Sequence, residues 1–123
     1  MTFDPLSCRV IGCAIEVHRE LGPGLLESTY QAWLAHELSL AGIRFVLEHP
    51  MPVAYKGVRL ECGYRLDMVV EKELILELKA VETIQGIHEA QILTYLKLAN
   101  LKTGLLINFN VPVLKQGIKR YVL

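Results

Sequence analysis

Net charge is missing from this chain of 123 residues: thirteen Lys and Arg balance thirteen Asp and Glu, and the sequence pI lies near 6.9. Proteins that coat nucleic acid without regard to sequence are normally basic, so bulk charge argues against that role while leaving room for a local basic groove. Cysteine is scarce. Cys8, Cys13 and Cys62 contain no CxxC pair, which removes a zinc knuckle, and they are too few for a four-cysteine iron–sulfur site. Reduced, mostly buried thiols are expected of them. The chain starts without a basic segment followed by a long apolar one, so no signal peptide is expected, and no apolar run is long enough to span a bilayer. Internal repeats, linkers and low-complexity segments are absent too. What these absences leave is a cytoplasmic single domain over residues 1–123, with no attachment to membrane. Its 52% apolar content fills a core and leaves surface for a homodimer or another protein partner.

Asp4-Pro5 fits a helix start, with Asp4 as N-cap and Pro5 at the first helical position. Val10, Ile11, Ala14, Ile15, Val17 and Leu21 recur at helical spacing, and Gly22-Pro23-Gly24 ends the run. A second helix is predicted from about Leu26 to Ala41, with Tyr30, Trp33, Leu34, Leu38 and Ala41 inward and Gly42 closing it. Ile43 to Leu47 and Met51 to Tyr55 read as extended, interrupted at His49-Pro50 and Pro52 as on an edge strand or bend. Lys56-Gly57 turns the chain into Val58 to Cys62. The runs Tyr64 to Val70 and Leu74 to Lys79 follow as strands about a Glu71-Lys72-Glu73 turn. Residues 87 to 99 return to helical periodicity through Ile87, Ala90, Ile92 or Leu93, Leu96 and Ala99. Leu105 to Phe109 is a buried strand and Ile118 to Val122 a last one at the edge. The order is α-α-β-β-β-β-α-β-β: an α/β fold with one central mixed sheet flanked by helices.

Chemistry concentrates on Asp67, Glu77 and Lys79. Strand side chains alternate, so Glu77 and Lys79 share a face while Leu76 and Leu78 take the other. If the two runs pair as a hairpin, Asp67 lies beside Glu77. Two carboxylates and an ammonium then meet at the rim of an apolar sheet, where charges need a partner or a metal. The oxygen donors suit Mg²⁺ or Mn²⁺, whose remaining waters can be activated toward phosphorus. Lys79 beside them can orient the water and offset developing negative charge. By spacing alone, an ordinary surface hairpin bearing a Glu–Lys pair and a stray Asp is the better explanation, because Glu-x-Lys within a strand is common by chance.

Gln91 and Tyr95 lie four apart on one face of the third helix and offer an amide and a hydroxyl to a phosphate or water. Packing is the plainer role for Tyr95. Glu27 sits at the start of the second helix, where it either complements the dipole or adds a carboxylate to the Asp67–Glu77 pair. His18, on the apolar side of the first helix, is a secondary candidate: a core histidine, or one that assists proton transfer. His36, His49 and His88 show no ligand spacing.

Gly24-Leu25-Leu26-Glu27-Ser28-Thr29-Tyr30 fits Gly-x-x-Glu-x-x-Tyr and follows His18-Arg19-Glu20-Leu21-Gly22-Pro23. Together with Tyr55-Lys56-Gly57, Tyr64 to Asp67, Glu77-Leu78-Lys79, Gln91 to Lys97 and Gly104 to Phe109, this resembles the bacterial and archaeal GxxExxY family of the PD-(D/E)XK nuclease superfamily. The resemblance implies a restriction-endonuclease-like core. It also implies a metal held by Glu27, Asp67, Glu77 and the carbonyl of Leu78, and Lys79 as the motif lysine. Gln91 and Tyr95 match the QxxxY element of RecB-like members, with a part in securing substrate or the lysine. The expected activity is Mg²⁺-dependent (or Mn²⁺-dependent) hydrolysis of phosphodiester bonds in nucleic acid, with DNA as the expected target. The alternative is a non-catalytic nucleic-acid-binding or scaffold protein that retains the fold, which the neutral charge and small size favour.

Overall fold

The computed structural model describes residues 3–60 and 63–123. Helix α1 (Pro5–Leu21) begins as its sequence dictates: the Asp4 carboxylate accepts from the Ser7 amide at 2.9 Å and the Ser7 hydroxyl at 2.8 Å. It ends at Gly22, whose φ of 69° lies in the region that glycine tolerates and whose N–H donates to the His18 carbonyl. Helix α2 (Glu27–Leu40) packs beside it. Five strands follow: β1 (Phe45–Pro50), β2 (Val53–Tyr55), β3 (Val58–Leu60), β4 (Arg65–Val70) and β5 (Leu74–Lys79). Helix α3 (Gly86–Ala99) then leads to β6 (Thr103–Asn108), a 3-10 turn at Leu114–Gly117, and β7 (Ile118–Val122).

The main sheet has the order β1-β4-β5-β6-β7. Only β5 and β6 run parallel, because α3 carries the chain across between them; the other pairs are antiparallel. This is a mixed sheet with helices around it, consistent with the restriction-endonuclease-like α/β fold. The structure has five strands between α2 and α3 where the predicted order counts four, since the interrupted stretch from Ile43 to Tyr55 divides into β1 in the main sheet and β2, which pairs with β3 in a separate hairpin about the expected Lys56-Gly57 turn. Strand β1 also continues through His49-Pro50 instead of breaking there: at the sheet edge, Pro50 opposite Arg65 leaves no ladder bond unmade on its outer side.

One face of the sheet packs Met68, Val70, Leu76, Leu105 and Ile107 against Val10, Ala14, Tyr30, Leu34 and Leu38 of α1 and α2. The opposite face carries a smaller cluster of Met51, Leu66, Ile75 and Leu96 with α3. Trp33 faces out at 51% exposure, edge-on to His36, and Ala41 is exposed as well. Ile87 and Ala90 likewise stay outside the core, which α3 reaches through Ile92 and Leu96. Both helices carry apolar side chains around most of their circumference, so periodicity did not single out the stripe that the sheet selects. Cys8 is exposed and Cys13 half-buried, both free; Cys62 lies outside the described residues. Among the described residues no helix is long and apolar enough to cross a membrane.

Two residues fix the chain just beyond Lys79. Buried Asn108 accepts from the Val81 and Asn110 amides at 3.1 and 3.2 Å and donates to the Val81 carbonyl at 2.8 Å. Gly117 passes so close that an added Cβ would sit 2.1 Å from the Asn108 carbonyl oxygen. Gly117→Ala should therefore destabilise the fold by about 2 kcal/mol or more in urea unfolding, as overpacking against backbone does. At the other end, burial pushes the Asp4 carboxyl up, but hydrogen bonds from Ser7 and Arg120 outweigh it and hold it below the ordinary carboxylate value. The stability it contributes is present above the unfolded value and is lost as pH falls through the lower folded one. Asp4→Ala should cost about 1 kcal/mol at neutral pH and less in acid, measured by urea unfolding across pH.

Candidate active site

The β4–β5 ladder pairs Val70 with Leu74, Val69 with Ile75 and Met68 with Leu76, and its next step would pair Asp67 with Glu77. That step is made by side chains. The Leu78 amide donates to Asp67 Oδ2 at 2.8 Å, and the Asp67 amide reaches Glu77 Oε1 at 3.5 Å. Each carboxylate thus takes over a main-chain partner on the facing strand, and the pair is held where the strands part. The β1–β4 pairing lapses at the same level, although β1 itself runs on. Its ladder pairs Leu47 with Met68 and His49 with Leu66, while Glu48 between them takes a φ of 50° and leaves Asp67 unpaired. The alternation of β4 changes here too: Leu66 packs on the α3 side, Met68 and Val70 on the α1–α2 side.

A cleft of about 270 Å³ opens at this break, lined by Glu27, Ser28 and Gln31 from α2, Glu48 from β1, Asp67 from β4 and Leu78 and Lys79 from β5. Gln31 ties three elements together, with Nε2 donating to Glu48 Oε1 at 3.0 Å and to the Asp67 carbonyl at 3.0 Å. Glu77 lies deeper, at 6% exposure. Burial, then the charge of Asp67, push its carboxyl up to about 8. Burial also raises Asp67; the Leu78 amide opposes that shift, Glu48 and Glu27 add to it, and Lys79 subtracts. Four carboxylates therefore face a single lysine around this cleft. Among the described residues, no three His, Cys, Asp or Glu side chains converge into a ready-made metal cage; Asp67 and Glu77 form the preformed pair, with Glu27 and Glu48 bordering it.

The residues picked out in the sequence divide in space. Glu27, Asp67, Leu78 and Lys79 meet in the cleft with Glu77 behind them. Gln91 and Tyr95 line a second groove, shared with Tyr64 and Val53, of about 420 Å³. Tyr95 still senses the pair: burial raises its phenol, followed by the charges of Glu77, Tyr64 and Asp67. His18 lies apart from the cleft, buried, its Nε2 2.8 Å from the Val111 carbonyl and its ring beside Phe109. Glu48, Gln31 and Ser28 escaped sequence reading. Gln31 stands four residues after Glu27, a spacing that puts both on one helical face. Glu48 gives no such signal, because its position depends on a left-handed backbone in an edge strand.

A sequence model of the PD-(D/E)XK nuclease superfamily matches residues 4–121, nearly the whole chain. No curated protein and no solved structure matches significantly. The matched span takes in α1, both strands that carry the carboxylate pair, Lys79 and α3. The chain belongs to the PD-(D/E)XK nuclease superfamily.

Proposed function

We propose that this protein is a divalent-metal-dependent nuclease of the GxxExxY group that hydrolyses phosphodiester bonds in nucleic acid, DNA foremost. The observation that carries this reading is the Asp67–Glu77 pair, held at the parting of two strands with Lys79 at the rim. The donor set fits a hard cation: every side-chain donor is a carboxylate oxygen, and a half-buried Asp67 beside a buried Glu77, with one lysine for neutralisation, is a costly arrangement until a cation joins it. Glu27, Asp67, Glu77 and the Leu78 carbonyl would hold Mg²⁺ or Mn²⁺. When bound, such an ion supplies Lewis acidity toward water and phosphate.

The chain's own groups do the rest. The Leu78 amide fixes the Asp67 carboxylate, and Gln31 fixes its backbone, so that carboxylate is already ordered before substrate arrives. Lys79, anchored by the bond from the Phe109 amide to its carbonyl at 2.9 Å, lines the cleft. There it orients the attacking water and offsets charge that develops on the phosphoryl oxygens. Gln91 and Tyr95, which line a separate groove without Lys79, are read as holding substrate. His18, bonded to Val111 within the core, is read as a structural residue.

Asp67→Asn and Lys79→Ala should each lower Mg²⁺-dependent cleavage of labelled DNA by roughly a hundredfold or more while circular dichroism shows the fold retained. Cleavage equal to the parent's would sink the reading and favour the scaffold alternative. The carboxylate pair also sets a pH dependence. Because the folded value of Glu77 lies above its ordinary 4.5, its ionisation opposes folding. Metal-free protein should lose stability as pH rises from about 4.5 to about 8 and level off above, and Glu77→Gln should remove that slope in urea unfolding.

A further inference from the structure

The groove that holds Gln91 and Tyr95 differs from the acidic cleft in having no charged residue in its lining. Tyr64 forms one wall at 50% exposure, and its backbone is fixed by the Met51 amide, which donates to the Tyr64 carbonyl at 2.9 Å. Tyr95 and the amide of Gln91 stand opposite on α3. The groove adjoins a third, of about 550 Å³, with which it shares Leu98. That third groove has the opposite character to the cleft: His49, Arg59 and Lys72 line it and no acid does. Neither Arg59 nor Lys72 is held in an ion pair among the described residues.

An uncharged groove walled by aromatic rings is a poor seat for a phosphate and a good one for the face of a base. Bases of a duplex are paired and stacked on one another, so only an unpaired nucleotide can enter it. A duplex held from outside would instead need many phosphate contacts, and this chain, with no net charge, offers few. Basic side chains stand where a strand leaving the tyrosine groove past Leu98 would carry its phosphates.

Resting on the reading of the cleft as the site of cleavage, we propose that the two grooves form one track for an unpaired DNA strand. A base stacks on Tyr64, Gln91 meets its edge, and Arg59 and Lys72 hold the backbone beyond. The substrate class is thus single-stranded DNA, or the single-stranded part of a branched or frayed molecule. Tyr64 acts in binding and takes no part in the chemistry at Asp67, Glu77 and Lys79.

The test is fluorescence anisotropy in EDTA with a fluorescein-labelled mixed-sequence single strand and the same strand in a blunt duplex. The single strand should bind at least about tenfold more tightly. Tyr64→Ala should weaken it by about tenfold, the scale of one lost base stack, with Tyr64→Phe restoring it and duplex binding unmoved. Arg59→Ala with Lys72→Ala should weaken binding and flatten its salt dependence. Equal affinity for strand and duplex, or Tyr64→Ala binding like the parent, would overturn the proposal. So would a change in sedimentation on Tyr64→Ala without a change in strand binding, which would make the groove a contact between copies of the chain. Cleavage assays on the same proteins separate the two readings. If Asp67→Asn abolishes cutting but strand preference is absent, the track fails and the nuclease stands; if strand preference holds but no metal-dependent cutting occurs, the nuclease reading fails.

Discussion

The structure depends on an exchange of partners between two strands. Where the β4–β5 ladder would close on Asp67 and Glu77, each carboxylate accepts from an amide of the facing strand. Main-chain donors are thereby satisfied without a regular ladder, so the sheet can part at its centre and still leave few unmet donors. The same exchange places two carboxyl groups beside each other, and burial together with the charge of Asp67 keeps the inner one, Glu77, protonated at neutral pH. Everything around the pair either holds the break open or limits what it costs. Gln31 bridges α2, β1 and β4 across it, Glu48 interrupts the β1–β4 pairing with a left-handed backbone, and Asn108 with Gly117 secures the chain just past Lys79.

The layers divide the work. Helices α1 and α2 pack one face of the sheet, and α2 delivers Glu27 and Gln31 to the cleft. Helix α3 crosses the other face and brings Tyr95 toward the pair from behind. Its approach to β6 is set at Gly104, where an added Cβ would come within 2.9 Å of Ile92. The three grooves that result are chemically distinct: acidic with one lysine, uncharged with tyrosines, and basic. A chain without net charge can therefore still present a polarised surface, which bulk composition had left open.

Much of this could be read before any coordinates. The strand at Leu74–Lys79, the turn before it and the last strand at Ile118–Val122 follow from short aliphatic runs between polar or glycine punctuation. Once those runs pair, Asp67 must fall beside Glu77, because the register is fixed by a three-residue turn. What stayed hidden depends on long-range packing. Trp33 and Ile87 fit an inward stripe as well as their neighbours do, and only the sheet's position turns them outward. Glu48 reaches the cleft through a left-handed residue in an edge strand, and Gln31 through bonds to residues 17 and 36 positions away. Gln91 and Tyr95 lie with Tyr64 in a groove of their own, where only Tyr95 senses the charges of Glu77 and Asp67.

The central claim is that Asp67 and Glu77 are a cation site in which a proton on Glu77 stands in for the cation until the site is filled. Its most direct test is calorimetric titration of metal-free protein with Mn²⁺ at pH 7 in buffers of different ionisation enthalpy. With the Glu77 carboxyl at about 8, binding should release protons, making the heat depend on the buffer, and Asp67→Asn should abolish it. No binding, or binding that releases no proton and survives Asp67→Asn, would contradict the claim.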